Sequence, residues 1–376
     1  MKNETLCVHS GTYHDAATGG VNTPIFTSSS FEYLDRADCP YPRYFNTPNQ
    51  ESVVRKMCAL EGAEDGVLFS SGMAAISTAI LAHAGNGDHV VMLDALYGGT
   101  HAFATDTFDR FGIQYSFAAT NAEAVAQALT PKTKAIVIES PTNPLLTIID
   151  IPKVAEVAKV RGITTIIDNT FATPINQRPL ALGIDVVVHS GTKYLGGHSD
   201  LCCGVALTSK KRAGPIRAVA RHLGGSLNAI TCYLLERSLK TLALRVERQS
   251  SNALRIAEFL TEQDTVRTVN YPGLPGFEGN QIAKAQMTGF GAMLSFELCG
   301  RRSPANFLSR LQIIRPAVSL GGVETIICAP AETSHAKISA DERRRIGVAD
   351  GLLRLSVGIE NVEDLIGDLR QALKGE

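Results

Sequence analysis

Polar side chains that could bind or transform a ligand follow five apolar runs of this 376-residue sequence. The runs are rich in β-branched residues, as in strands covered on both faces of a parallel sheet. An open parallel sheet binds ligands beyond the carboxyl ends of its strands, so we expect these polar groups to lie close together. The runs are residues 67–69, 89–93, 135–139, 164–168 and 185–189, and the groups are 70–73, 94–97, 140–143, 168–169 and 190–193. Together they supply small anion-binding residues, one acid, one lysine and one tyrosine.

Two of these groups are typical of an anion site. Ser71, Gly72 and Met73 lie between a strand and a helix, where free backbone N–H groups and the helix dipole suit a phosphate. Ser190 and Thr192 could add hydroxyl donors from another strand end. Taken alone, each segment is more simply an ordinary glycine turn or a polar loop, so the interpretation depends on their combination.

Lys193 and Asp168 extend this pattern. An amine beside a phosphate site is either a simple phosphate binder or a lysine that forms a Schiff base with an aldehyde cofactor. Asp168 could cap a helix or bind a metal, although its sequence neighbours supply no further metal ligands. Pyridoxal 5'-phosphate accounts for all the groups together. It needs a lysine for the imine, an acid that keeps its pyridine nitrogen protonated, and a cup for its phosphate.

Longer segments match a known family, in the family's order, along nearly the whole chain. They are residues 41–44, 96–100, 139–144, 168–170, 189–200, 318–324 and 353–360. In these segments the chain resembles the Cys/Met-metabolism enzymes that use pyridoxal phosphate, which include cystathionine γ-synthases, cystathionine β- and γ-lyases, methionine γ-lyases and homoserine-ester sulfhydrylases. The resemblance implies the α/β, aspartate-aminotransferase-like fold (fold type I). That fold has a mostly parallel large-domain sheet and a smaller α+β C-terminal domain.

The resemblance also implies how the cofactor would be bound. Lys193 would hold it as an imine and then move protons during the reaction. Asp168 would pair with the pyridinium nitrogen, and Asn143 would hydrogen-bond the phenolate oxygen. The phosphate would be held by Gly72, Met73, Ser190 and Thr192.

Five further residues would complete the site. Tyr97 would stack on the cofactor ring and act as an acid or base near the leaving group, although by itself it could be a core tyrosine. Arg354, helped by Ser319, would bind the substrate α-carboxylate through a bidentate guanidinium. Its alternation with apolar residues is by itself more typical of the solvent face of a strand. Tyr41 and Arg43 would reach the phosphate of a neighbouring subunit, which implies a homotetramer built from dimers that share active sites.

We divide the chain into three parts. Residues 1–48 are predicted to form an extended arm that contacts a neighbouring subunit, because they show no helical or alternating period. Residues 49–232 are the predicted PLP-binding α/β domain. Residues 233–376 are the predicted C-terminal α+β domain.

Three helical segments support this division. Residues 151–161 are predicted to be a helix that Gly162 closes. Residues 226–271 contain no Gly or Pro and predict a long helical connection, bent near residues 250–251. The last helix is predicted to begin at Asn361 and to end at Gly375.

The resemblance implies a PLP-dependent enzyme of transsulfuration. Our first interpretation is a C–S lyase that acts on cystathionine or a related thioether amino acid by β- or γ-elimination and releases a thiol, ammonia and a 2-oxo acid. The alternative is a γ-replacement transferase of cysteine and methionine biosynthesis, either a cystathionine γ-synthase or an O-acylhomoserine sulfhydrylase. Gly99 stands where methionine γ-lyases carry a cysteine, which argues against that activity. Val318 and Leu320 replace a glutamate and a tryptophan used by some other members.

Two rival functions deserve comparison. A PLP-binding regulatory protein without turnover would be expected to have lost Lys193, Asp168, Tyr97 or Arg354, and the sequence retains all four. An aminotransferase of the same fold would transaminate a cystathionine substrate without elimination.

Composition and charge indicate which partners, compartment and metals to expect. The formal net charge of −1 carries no electrostatic footprint for nucleic acid or anionic lipid, so we expect a small amino-acid substrate and neither nucleic acid nor membrane as a partner. The first residues lack the apolar core of a secretory signal. Eight cysteines without a C-x-x-C pair predict neither a metal cage nor a disulfide framework. We therefore expect a cytoplasmic protein without a metal.

Overall fold

The computed structural model describes residues 1–35, 37–300, 303–333, 341, 343 and 346–374. The strands are β1 Asp65–Phe69, β2 His89–Leu93, β3 Gln114–Ala118, β4 Thr133–Glu139, β5 Thr164–Asp168, β6 Val186–Ser190, β7 Gly204–Thr208, β8 Val266–Asn270, β9 Met293–Leu298, β10 Arg315–Pro316, β11 Ile326–Cys328 and β12 Leu352–Ser356. The helices are α1 Asn3–His9, α2 Pro48–Glu61, α3 Gly72–Leu81, α4 Gly98–Thr107, α5 Ala122–Gln127, α6 Ile151–Val160, α7 Thr173–Asn176, α8 Lys210–Leu223, α9 Ala229–Leu239, α10 Leu242–Thr261, α11 Asn280–Gln286, α12 Pro304–Arg310 and α13 Val362–Lys374.

A seven-stranded sheet forms the first half of the fold, in the order β1-β7-β6-β5-β4-β2-β3. The five strands from β6 to β3 are parallel, whereas β7 runs antiparallel to both β6 and β1. Its central strands are apolar and buried because helices cover both faces. This arrangement brings the carboxyl ends of β4, β5 and β6 to one edge of the sheet.

A five-stranded sheet, in the order β10-β11-β12-β9-β8, forms the second half. All its pairs are antiparallel except β10 with β11. α10 packs on β8 and β9 and against α13, whose Leu365, Leu369 and Leu373 are buried. The apolar residues around this sheet are continuous with those on one face of the first sheet, so the two halves share a core.

The structure reproduces the predicted strands closely. Two of the five runs coincide with strands β2 and β5, β1 and β4 each begin two residues earlier than their runs, and β6 occupies 186–190 instead of 185–189. The shift in β6 occurs because Asp185 is not part of the ladder: its side chain accepts the Thr165 N–H and pairs with Arg212 at 2.7 Å. Sequence reasoning also missed β3 and β7. Cys202 and Cys203 directly precede β7, which begins at Gly204.

The predicted single helical connection over residues 226–271 was also wrong. α9 ends at Leu239 and α10 begins at Leu242, so the break lies before residue 242 and α10 continues unbroken through residues 250–251. Arg245 stabilises the break, because its Nη2 donates to Ser238 O at 2.9 Å. The end of the segment is strand β8 and not a helix. The predicted domain boundary at residue 232 falls inside α9. The division of the chain into three parts remains a prediction.

The remaining predicted helices form. α6 spans Ile151–Val160, and Gly162 follows it with φ +67°. Asn361 Oδ1 accepts the Glu363 N–H at 2.9 Å at the start of α13. The predicted end of this helix, Gly375, lies outside the described residues.

The N-terminal segment differs from an arm without regular structure. Residues 3–9 form α1, and the buried Lys56 Nζ donates to Cys7 O at 3.0 Å, which fixes the end of that helix to α2. Beyond α1 the described residues up to Thr47 are largely exposed and form no α-helix or strand, apart from a 3-10 turn at Pro42–Tyr44. No helix in the described part of the chain is long and apolar enough to cross a membrane.

Candidate active site

The carboxyl ends of β4, β5 and β6 open into a cavity of about 1180 Å³. Ten of the twelve predicted site residues line it. They are Gly72, Met73, Tyr97, Asn143, Asp168, Ser190, Thr192, Lys193, Ser319 and Arg354. Tyr41 and Arg43 do not line it.

Lys193 lies three residues after β6 and presents its amine to the second half of the fold. Its Nζ donates to Ser319 Oγ at 2.7 Å. Burial and then the nearby Arg354 charge lower the pKa of Lys193 below its ordinary value. The amine is therefore easier to deprotonate than a surface lysine, as a nucleophile or proton acceptor requires.

Asp168 is the last residue of β5, which pairs with β6, the strand that precedes Lys193. Its Oδ1 accepts the Thr170 hydroxyl at 2.5 Å and the Thr170 N–H at 3.0 Å. No described residue donates a hydrogen bond to Oδ2, which leaves that oxygen for a group in the cavity. Burial raises the pKa of Asp168, and the Thr170 contacts oppose that effect. A cationic partner on Oδ2 would compensate the buried charge.

The N-terminus of α3 forms an anion cup with the end of β6. Ser71 caps the helix by accepting the Ala74 N–H at 3.0 Å, and a helix supplies no acceptor for its first N–H groups, here those of Gly72 and Met73. A Cβ on Gly72 would lie 2.7 Å from Ser190 Cβ, so only glycine keeps this approach open. Thr192 is less available than predicted, because its hydroxyl donates to Cys203 O at 3.3 Å.

Arg354 lies in β12, and its guanidinium reaches across to the first sheet. Nη1 donates to Asn143 Oδ1 at 2.9 Å and Nη2 donates to Ser319 O at 3.0 Å. Neither partner is charged, and Nε is buried without a partner among the described residues. A buried cation with a spare donor fits an incoming carboxylate. Because Asn143 Oδ1 accepts from Arg354, its amide nitrogen is left to donate to the cofactor.

Tyr97 precedes α4 and keeps 47% of its surface exposed. A Cβ on Gly99 would lie 2.6 Å from Tyr97 Cε1 and 2.9 Å from Met73 Sδ. Gly99 therefore leaves room for the aromatic ring beside the anion cup.

Tyr41 and Arg43 lie elsewhere on the surface of the same chain. Arg43 Nη1 donates to Arg221 O at 2.7 Å, and its guanidinium stacks 5.2 Å from the centre of the Tyr44 ring. This position gives them no contact with the chain's own cavity.

Two residues of the site were missed by sequence reasoning except as parts of motifs. Thr170 links Asp168 to the anion cup, since its hydroxyl oxygen also accepts the Ser190 N–H at 2.8 Å. Glu139 is the last residue of β4 and lines the cavity. An acid at the end of an apolar run was the signal that could have identified it.

The described residues include no group of three or more His, Cys, Asp or Glu side chains suited to a metal ion.

Residues 4–374 match the family model for the Cys/Met metabolism PLP-dependent enzymes. The chain belongs to this family. It is therefore a pyridoxal-phosphate enzyme, as predicted.

Relatives and solved structures agree with this family assignment. The chain is 42% identical to the cystathionine β-lyase of Lactococcus lactis subsp. cremoris, over 99% of both chains. It is 42% identical to the cystathionine γ-synthase of Mycobacterium bovis, over 98% of this chain and 96% of that one. The crystal structure of cystathionine γ-lyase from Lactobacillus plantarum complexed with L-serine matches with a TM-score of 0.95 and 40% identity, over 99% of this chain and 98% of that one. The predicted fold type I is thereby confirmed.

The residues of the cavity fit pyridoxal phosphate. The anion cup would hold the phosphate through Gly72, Met73 and Ser190, in a space that a Cβ on Gly72 would fill. Lys193 offers the amine, and Asp168 offers a carboxylate oxygen that no described residue occupies. One cavity therefore offers groups suited to the phosphate, the aldehyde and the ring nitrogen of this family's cofactor.

Proposed function

We propose that this family member is a C–S lyase of sulfur amino-acid metabolism. Its substrate would be cystathionine or a related thioether amino acid, and elimination from Cβ or Cγ would release a thiol, ammonia and a 2-oxo acid. The observation that carries the proposal is the junction at Ser319. Its hydroxyl accepts from the Lys193 amine and its carbonyl accepts from Arg354, so a base and a carboxylate anchor meet at one residue.

Each step then has a residue of this chain to perform it. Arg354 would bind the substrate α-carboxylate, which orients the Cα–H bond towards Lys193. When bound, pyridoxal phosphate supplies the electron sink that stabilises negative charge at the substrate's α-carbon. Lys193 would accept the Cα proton and later donate it to another atom of the reacting substrate. Tyr97 would act as an acid or base at the leaving sulfur.

A γ-replacement transferase is the second candidate. The cystathionine γ-synthase of Mycobacterium bovis is as similar to this chain as the cystathionine β-lyase of Lactococcus lactis subsp. cremoris, so similarity alone does not separate the two reactions. In replacement, the sulfur of cysteine or sulfide would take the place of the acyloxy group at Cγ of an O-acylated homoserine, and the carboxylic acid would leave. In elimination, no second nucleophile would add, and hydrolysis by water would give a 2-oxo acid and ammonia.

We also propose a cytoplasmic homotetramer built from dimers that share active sites. Val21, Tyr33 and Leu34 are 87%, 73% and 72% exposed, which supports burial of the arm against a second copy. Tyr41 and Arg43 lie outside the chain's own cavity, in agreement with a role in the site of a neighbour. The eight free cysteines support a reducing compartment.

A product assay tests the proposed reaction. Incubation with cystathionine should yield a 2-oxo acid and a thiol by mass spectrometry, whereas O-acylhomoserine with cysteine should yield little thioether. The reverse result would favour the transferase. Lys193→Ala should abolish turnover and the visible absorption of the bound cofactor together, while the exposed Lys153→Ala should retain both.

A further inference from the structure

We propose that Glu139 is a positioning residue, which holds the loops of Tyr97 and Asn143 in place with one carboxyl group. This inference rests on the proposed function, because that function assigns Tyr97 and Asn143 to the cofactor. Glu139 itself would touch neither the substrate nor the cofactor.

Glu139 binds two loops that no other side chain joins in this way among the described residues. Its Oε2 accepts the Tyr97 N–H at 2.8 Å, and its Oε1 accepts the Asn143 N–H at 3.0 Å. Tyr97 follows β2 and Asn143 follows β4, so the contacts tie together the ends of neighbouring strands. Each oxygen therefore fixes the main chain of one residue assigned to the cofactor.

The same contacts begin a continuous path of hydrogen bonds through the site. Asn143 Oδ1 accepts from Arg354, and Arg354 donates in turn to Ser319 O. Ser319 Oγ then accepts from Lys193 Nζ at 2.7 Å. A displacement at Glu139 would consequently reach the carboxylate anchor and the reactive amine as well as the aromatic ring.

Only a carboxyl group suits this position. A glutamine has one acceptor oxygen, and its NH₂ group would face the second N–H donor. The carboxyl group is nevertheless unfavourable for stability, because Glu139 is only 5% exposed and lies opposite another acid, Asp168, in the β4–β5 ladder. Burial and then Asp168 raise the pKa of Glu139 well above its ordinary range. An acid placed here at such a cost points to a role at the site.

Asp368 provides a matched control. It is 4% exposed and accepts three backbone N–H groups, from Gln312, Ile313 and Ile314, each at 2.9 Å. It performs the same structural task outside the cavity. Asp368→Asn should therefore lower the melting temperature without changing cofactor binding.

The test compares Glu139→Gln with Asp368→Asn in the full-length enzyme. We expect Glu139→Gln to weaken pyridoxal-phosphate binding about tenfold or more, because it leaves a buried backbone N–H of one loop without an acceptor. It should also shift the absorption maximum of the bound cofactor and speed amide hydrogen exchange at Tyr97 or Asn143. If Glu139→Gln instead lowers only the melting temperature, as Asp368→Asn does, the inference is wrong.

A second variant keeps the test decisive. If Glu139→Gln does not fold, Glu139→Asp is measured in the same way, because its shorter side chain cannot reach both loops undisturbed. Unchanged exchange and unchanged cofactor affinity in that variant would also overturn the inference. Absence of lyase and transferase activity in the wild-type enzyme would instead count against the proposed function, and the exchange and affinity comparison would still stand.

Discussion

Lys193 shows how single residues adjust the chemistry of this site. Burial and the Arg354 charge lower the pKa of its amine, while burial raises the pKa of Asp168. Both shifts disfavour the charged forms of these two buried groups. For Lys193 the folded-state pKa lies below the ordinary value, so its charged form destabilises the fold, and this cost disappears as the pH rises towards that value. A ligand that neutralises the amine or pairs with the carboxylate should therefore stabilise the protein.

The influence of Arg354 on the amine gives a prediction at this scale. Arg354→Gln should raise the pKa of Lys193, because it removes a positive charge that opposes protonation. In cofactor-free protein, the pH at which half of Lys193 reacts with an amine-specific reagent should move upward. The exposed Lys153 serves as the internal control and should keep its pH of half-reaction. An unchanged pH profile for Lys193 would show that the two cations do not interact.

At the scale of elements, the meeting of α3 with the end of β6 shapes the anion cup. Gly72 begins the helix, and its Cα side faces Ser190 so closely that a methyl group does not fit. Gly204, at the start of β7, is similarly tight: a Cβ there would lie 2.2 Å from Ser71 O. The cup thus depends on one glycine from the β1–α3 junction and one from the start of β7, two segments that approach each other.

Replacement of one of these glycines tests the cup. Gly72→Ala should force α3 away from β6 and weaken pyridoxal-phosphate binding about tenfold or more, since hydrogen bonds to the charged phosphate would be lost. Equilibrium dialysis against the cofactor measures this change. Gly214→Ala in α8 is the matched control, because a Cβ there meets nothing within 4 Å. Equal cofactor affinity in both variants would remove the cup from the phosphate site.

At the scale of the whole molecule, the chain holds most but not all of its predicted site. Ten residues meet in the cavity, whereas Tyr41 and Arg43 lie on the exposed segment beside α8. In a symmetric dimer, the same surface of each subunit can complete the cavity of the other. We therefore expect the complete active site to form only in the assembly.

Mixed oligomers test this expectation. Arg43→Ala and Lys193→Ala should each be nearly inactive alone. A dimer that contains one of each should have one complete site, in which the Arg43→Ala chain supplies Lys193 and the Lys193→Ala chain supplies Arg43. Its second site would lack both residues. Activity should therefore return after mixing and subunit exchange, which native mass spectrometry verifies. Exchange without recovered activity would contradict shared sites.

The sequence by itself determined the site residues that follow strands, because local pattern and chain order decide where a strand ends and what comes next. The apolar runs, the glycine turn at the start of α3 and Lys193 after β6 were all predicted in this way, and the cavity is lined by residues that end or follow the strands. The family's motifs supplied the cofactor and fold type, which the comparisons confirmed.

Only the tertiary structure decided contacts between distant segments, since these depend on packing that local pattern does not encode. The link from Glu139 to Tyr97, and the contacts of Arg354 with Ser319 and Asn143, join residues that are 42, 35 and 211 positions apart in the chain. The break between α9 and α10 was missed for the same reason, because Arg245, which donates to Ser238 O at the break, also donates to Tyr194 O, 51 positions earlier in the chain.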